Sequence, residues 1–274
     1  MNLPGSIRSS EAALVRGNGG RTALFSIAAG LVLMFLAGPL VKLVATSNSH
    51  QLFASFADPQ VLRAIGLSVF AATWATILGA IAGLPLGFIL ARHEFGGKAI
   101  IEGLIDLPVV IPHPIAGIAL LFVFGRRFFL GHAFSLAGIH FAGAIPGIVI
   151  AMLFVSAPFL INAARDGFRA VDPRLENVAR TLGRGPWAAF FGVTLPLARG
   201  SLVSGAVMMW ARALSEFGAV VVLAYYPMTA PVLIFDRFEG FGLSAAQPVA
   251  AVIIIVALIL FAGLCYLNLR QAPD

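Results

Sequence analysis

Charge is what this chain is short of. Only 11% of its 274 residues are Asp, Glu, Lys or Arg, against about 25% in an ordinary water-soluble domain. Its surface therefore cannot be wetted on all sides. The shortage argues against a soluble enzyme, a disordered chain and a nucleic-acid-binding domain, despite a formal net charge of +6. Lysine occurs only at positions 42 and 98, so the basic excess is arginine. The single cysteine, Cys265, excludes an internal disulfide and any multi-cysteine metal site. No H-E-x-x-H, G-x-S-x-G or paired-cysteine sequence occurs, and the five histidines (His50, His93, His113, His132 and His140) are scattered. No catalytic or metal-binding constellation is read from them. A Walker A sequence is missing too, because Gly96-Gly97-Lys98-Ala99 lacks the earlier glycine and the Ser or Thr. Any ATP-driven work needs a second chain to hold the nucleotide.

What the chain has is apolar length. Apolar residues make up 59% of it and the mean hydropathy is +0.96, which reads as an all-α integral membrane protein. A bilayer core of about 30 Å needs roughly 20 apolar residues per helix. Six stretches qualify, at about 24–45, 64–91, 104–124, 142–164, 201–224 and 248–269. The first is too long for the apolar part of a signal peptide and is read as a retained span. Residues 1–21 read as a cytoplasmic tail and 22–274 as one transmembrane domain. Placing the N-terminus inside puts twelve basic residues in the cytoplasm, among them Arg92, Lys98, Arg165, Arg169, Arg174, Arg180 and Arg184. Only Arg63, Arg126, Arg127 and Arg237 then lie outside. The rule that inner loops carry the basic residues sets both termini inside. No internal repeat is found, which weighs against the inverted-repeat transporters.

The spans carry features of their own. Gly79, Gly83 and Gly87 recur every four residues, a stripe that lets another backbone approach closely in lipid. The third span opens on Pro108, Pro112, His113 and Pro114. Three residues without an N–H break or kink a helix, giving either a structural bend or a wall of a wet path. In the fifth span Arg212 and Glu216 are four apart beside Ser215, so they share a helix face and can pair. A charged pair at membrane depth is either an interhelical tie or part of a pathway.

The long inner connection, about 165–200, holds a capped helix. Asp172 precedes Pro173, a capping carboxylate followed by a residue whose missing N–H does no harm. Leu175, Val178, Ala179 and Leu182 recur at helical spacing and Gly183 can end the helix. Such a helix lies on the membrane or docks in a partner's groove; periodicity does not choose between them.

At these residues the sequence resembles importer-type ABC transporter permeases. Their EAA loop runs E-A-A, three residues, G, nine residues, I-x-L-P. Here Asn177-Val178-Ala179, Gly183 and Val193-Thr194-Leu195-Pro196 stand at those intervals, with the glutamate one position early at Glu176. The resemblance covers about residues 64–269. The segments Leu107 to Gly117 and Leu182-Gly183 are similar to oxyanion permeases, Arg212 to Val220 and Tyr225 to Pro231 look most like the molybdate/tungstate branch, and sulfate permeases share a similar Glu-Phe-Gly segment.

The resemblance implies a type I importer permease fold and no enzyme activity in this chain. It implies two copies of the chain, two ATPase subunits that bind the ATP and Mg, and an extracytoplasmic oxyanion-binding protein, all at the cytoplasmic membrane. Asp172 to Gly183 with Leu195 and Pro196 become the ATPase-coupling segment. Pro108, Pro112, Pro114, Arg212, Ser215 and Glu216 become the translocation path or its support. The competing reading is a self-sufficient secondary anion transporter, which leaves the inner loop's spacing unexplained.

Overall fold

The computed structural model describes the backbone of residues 5–269 and the side chains of residues 22–263. The side chains of Arg8, Arg16, Arg21 and Cys265, and all of Arg270, lie outside that description. Among the described residues there are helices and no strands. Helix α1 (Gly5–Ala45) begins far ahead of its apolar part, Thr22–Ala45, so the backbone is helical through most of the expected tail. Next come α2 (Ser49–Ala57) and α3 (Pro59–Arg92). Helix α3 starts five residues before the span read from hydropathy. The Asp58 side chain accepts the Gln60 N–H at 2.8 Å and Pro59 takes the first helical position, the same start signal recognised at Asp172-Pro173.

The third span is two helices, not one. Helix α4 (Lys98–Val110) and α5 (His113–Phe124) meet at 114°. Proline disfavours the helical conformation in the residue before it, and Ile111 is accordingly extended (ψ 144°) ahead of Pro112. Neither Pro112 nor Pro114 can donate a ladder bond across the bend. After α6 (Phe129–Leu136), α7 (Ile145–Ala170) runs six residues past the expected end of the fourth span.

The segment expected to couple to an ATPase follows as α8 (Pro173–Thr181), then α9 (Pro186–Ala189), a π turn at Phe190–Thr194, and α10 (Leu195–Leu214). The fifth span also differs from the single helix expected. Helix α10 stops at Leu214, and after Ser215 to Phe217 a short α11 (Gly218–Leu223) resumes. Helix α12 (Ala230–Phe241) fills the second long connection and α13 (Leu243–Leu269) closes the chain. Counting the bent pair as one, six elements among the described residues are long and apolar enough to cross a membrane.

Helices α3, α7 and α10 form the centre. The glycine stripe is a packing device: a Cβ on Gly83 would stand 2.9 Å from Ile161, and one on Gly87 2.8 Å from the Ala164 Cβ and 3.1 Å from the Arg165 N. The third, Gly79, faces Met209 of α10 even more closely. Around these contacts Ala71, Ala75, Ile148, Met152, Ala213 and Val220 are fully enclosed. Helix α1 is peripheral. None of its apolar window is buried, and its C-terminal end is held by Gln247, which donates to the Leu43 carbonyl and the Thr46 hydroxyl.

Candidate functional site: the coupling loop and the broken helices

Helix α8 is built from its ends. Asp172 accepts the Arg174 N–H at 2.9 Å. At the other end Gly183 adopts φ +85°, the Gly183 N–H reaches the Arg180 carbonyl and the Arg184 N–H reaches the Ala179 carbonyl. This pair of bonds closes a helix on a left-handed residue. With both ends fixed, the expected apolar set divides. Leu175, Val178 and Leu182 are 46%, 56% and 80% exposed, whereas Ala179 is buried. Three apolar side chains therefore project from a charged loop with nothing of this chain over them.

Asn177 is exposed, and Glu176 turns the other way. Its Oε1 accepts Arg92 Nη2 at 2.7 Å and the hydroxyl of the fully buried Thr194. Arg92 Nη1 also donates to the Val171 carbonyl at 2.8 Å. Leu195 is partly buried against the cluster that includes Phe168 and Leu202, and Pro196 stands exposed in the first turn of α10. Phe88 meets Phe168 and Phe190 edge to face, with ring centroids 5.4 and 5.1 Å apart, and Phe168 and Phe190 lie tilted to each other at 6.0 Å.

The second constellation lies at the two breaks, about 25 Å along α10 from Leu195 at 1.5 Å per residue. Arg212 Nη2 donates to Glu216 Oε2 at 2.8 Å. Glu216 is fully buried, and its Oε1 accepts the Ala219 N–H at 2.9 Å, so it also caps the start of α11. His113 joins them. Both its ring nitrogens lie within 3.0 Å of Arg212 Nη2, and its Nδ1 is 3.4 Å from Glu216 Oε2. Arginine only donates, so the ring nitrogen facing it acts as the acceptor. Gly218 makes the approach possible, because a Cβ there would stand 2.8 Å from that of His113.

Ser215 is exposed, and its hydroxyl donates to the Arg212 carbonyl at 3.0 Å. Pro112 and Pro114 are exposed at the bend while Pro108 is buried inside α4. Of the six residues assigned to the path, Arg212, Ser215 and Glu216 form one cluster. Pro112 and Pro114 flank its histidine, and Pro108 stands apart. Below the bend, Asn162 donates to Asp106 at 2.7 Å beside a cavity of about 320 Å³ lined by both.

Several partners escaped the sequence reading: His113, Arg92, Thr194 and Asn162. His113 alone carried a signal, since it stands between two prolines at a break.

The second long connection, 225–247, is pinned as well. The Ala230 N–H donates to Ser68 at 2.8 Å, and Arg237 pairs with Asp58 at 3.0 Å. Tyr225 donates to Asp236 at 2.8 Å. That hydrogen bond, with some burial, pushes the phenol up to about 12.

Comparison with known proteins agrees with this architecture. Residues 83–271 match the family described as "Binding-protein-dependent transport system inner membrane component". A molybdate/tungstate transport system permease protein of Thermococcus kodakarensis is 43% identical over 250 residues, 90% of this chain and 96% of that one. Its counterpart in Pyrococcus furiosus is 48% identical over 77% of this chain and 79% of its own. A probable sulfate transport system permease protein of Chlorokybus atmophyticus is 32% identical over 84% of this chain and 83% of its own.

Among solved structures, a bacterial ABC transporter involved in the import of the acidic polysaccharide alginate superposes with a TM-score of 0.73. It covers 95% of this chain and 100% of that one at 17% identity, a likeness of fold. A match over residues 83–271, the coupling loop and both broken spans included, leaves one assignment: the chain belongs to the inner-membrane components of binding-protein-dependent transport systems, the permease subunits of ABC importers, and is a transport subunit and not an enzyme.

Proposed function

We propose that this chain is the permease of an importer for molybdate or tungstate. It works as two copies with two ATPase subunits and an extracytoplasmic oxyanion-binding protein, in the cytoplasmic membrane with both termini inside. The observation that carries the substrate is the 43% identity to a molybdate/tungstate permease across 90% of the chain. The bare face of Leu175, Val178 and Leu182 supports the ATPase contact, because capped apolar knuckles in a charged loop suit a partner's groove.

Two rounds of charge control let a dianion pass. Arg212 at full charge would hold an oxyanion too tightly at membrane depth, where opposite charges attract strongly. Glu216 at 2.8 Å cancels most of that field, leaving His113 and Ser215 as polar groups beside the path. Breaks near 111–112 and 215–217 free backbone groups from the helical ladders, which membrane proteins accept where a cavity is wet. ATP and Mg act on the partner subunits, whose closure displaces the coupling helices and switches the path from one side to the other.

The test is tungstate uptake into sealed vesicles holding the chain, its ATPase and its binding protein. Uptake requires ATP and the ATPase, and molybdate competes for it while excess sulfate does not. Uptake without the ATPase would establish a secondary transporter. Equal competition by sulfate would move the substrate to the sulfate branch.

A further inference from the structure

We propose that Glu176 is not an ATPase contact but the lock that fixes the coupling helix to the inner ends of α3 and α7 and to the π turn ahead of α10. The inference rests on the transport reading above for what the lock transmits. Its geometry stands independently. Successive residues on a helix are about 100° apart (3.6 per turn). A glutamate at 176 in place of 177 therefore points to a different side of α8. Position 177 holds an exposed Asn, while the Glu176 side chain is only 22% exposed and faces inward.

One carboxylate oxygen takes both Arg92 Nη2 and the Thr194 hydroxyl. The second arm of the same guanidinium takes the Val171 carbonyl at 2.8 Å. One planar, two-armed cation thus joins the end of α3, the end of α7 and the coupling helix, a task that the single point charge of lysine cannot match. Arg92 sits in the last turn of α3, where the helix dipole favours a cation. Thr194, the last residue of the π turn, runs directly into α10.

A helix of nine residues with a bare outer face has little else to hold its angle. Two short links, at 171–172 and 182–185, connect it to the body. With the lock closed, α8 cannot tilt without carrying α3 and α10, and α10 bears Arg212 of the charged cluster. Opened, it lets the ATPase move α8 while the path stays still. Glu176, Arg92 and Thr194 are positioning residues for transport.

The test places the wild-type and variant chains in vesicles with the ATPase and binding protein, and reads ATP hydrolysis and tungstate uptake in the same sample. Spin labels on Gly96→Cys and Arg174→Cys, with Cys265→Ser, report the distance from the inner end of α3 to α8. Glu176→Gln and Arg92→Gln keep the ATPase bound and hydrolysing. The anions moved per ATP fall on the order of fivefold or more, the lower range of coupling between sites, and the label distances broaden. Arg92→Lys falls between, and exchanging the two charges (Arg92→Glu with Glu176→Arg) recovers coupling.

Unchanged anions per ATP and an unchanged narrow distance in both single variants would overturn the lock. So would loss of ATPase binding in Glu176→Gln without recovery on exchange, which would make Glu176 a docking contact. If single variants fail to reach the membrane, Thr194→Val removes one donor and shifts both readouts less, in the same direction. Should the wild type move no oxyanion, the transport reading falls while the label distances still decide the lock.

Discussion

Truncating Arg212 is the sharpest test of the buried cluster. Arg212→Ala leaves the fully buried Glu216 carboxylate with the Ala219 N–H at 2.9 Å and His113 at 3.4 Å as its neighbours. Breaking a buried pair from one side costs about 3–5 kcal/mol, because the remaining charge is uncompensated. Removing both partners, Arg212→Ala with Glu216→Ala, abolishes that penalty. What remains is chiefly the lost cap on α11, about 1 kcal/mol. The double variant is therefore more stable than the Arg212→Ala single variant by roughly 2–4 kcal/mol. At about 2–4 °C per kcal/mol for a chain of this length, the single variant's unfolding midpoint in detergent falls by about 6–20 °C and the double variant's by a few degrees. Competition among tungstate, molybdate and sulfate stays as in the wild type for the double variant. A single variant that unfolds at the wild-type temperature and changes anion preference would refute the reasoning and make Arg212 a selectivity residue.

Gly183→Val forces a β-branched residue to φ +85° at a cost of about 1–2 kcal/mol, so the end of α8 unwinds. Co-purification of the ATPase drops at equal expression. Gly87→Val drives new atoms into the Ala164 Cβ and the Arg165 N; overpacking costs about 1–3 kcal/mol, and the yield of monodisperse protein in detergent falls accordingly. Tyr225 titrates near 12 when folded and near 10 when free. The contribution of its protonated form to stability is present in full below about pH 10 and is lost as the pH rises toward 12. Ultraviolet titration shows the late phenol in the folded wild type and not in Tyr225→Phe. In sealed cells, cysteine reagents that cannot cross the membrane fail to label a cysteine placed at Leu175; labelling from outside would reverse the topology.

Much of the fold is legible because lipid reads composition. Among the described residues five of the six apolar stretches match spanning elements to within about six residues, the fifth ends ten residues early at Leu214, and the Asp172-Pro173 start and Gly183 stop fixed α8 as read. The misses share a cause. Hydropathy does not register a helix that breaks while staying apolar, so α10 and α11 were read as a single span. The prolines announced the first break without its 114° angle, which depends on where each half finds packing. The second break carries no proline and is held by one carboxylate capping α11, a contact made only after folding. Partners far apart in sequence, Arg92 with Glu176 and His113 with Arg212, leave no local trace.

The glycine stripe decides where this protein can bend. Where α3 meets α7 and α10, backbones and side chains are already at contact, and no sliding is possible without forcing atoms through one another. Packed interiors of this kind resist compression and pass strain on. At 111–112 and 215–217 the regular ladder is interrupted, with Ile111, Ser215 and Glu216 donating back to Leu107, Ala211 and Ala213 and nothing continuing forward in register, so a change of φ and ψ there reorients a half-helix. Under the proposed transport reading, stiffness in the middle would pass strain from the 165–200 connection to these two interruptions, much as a rigid lever concentrates movement at its pivots.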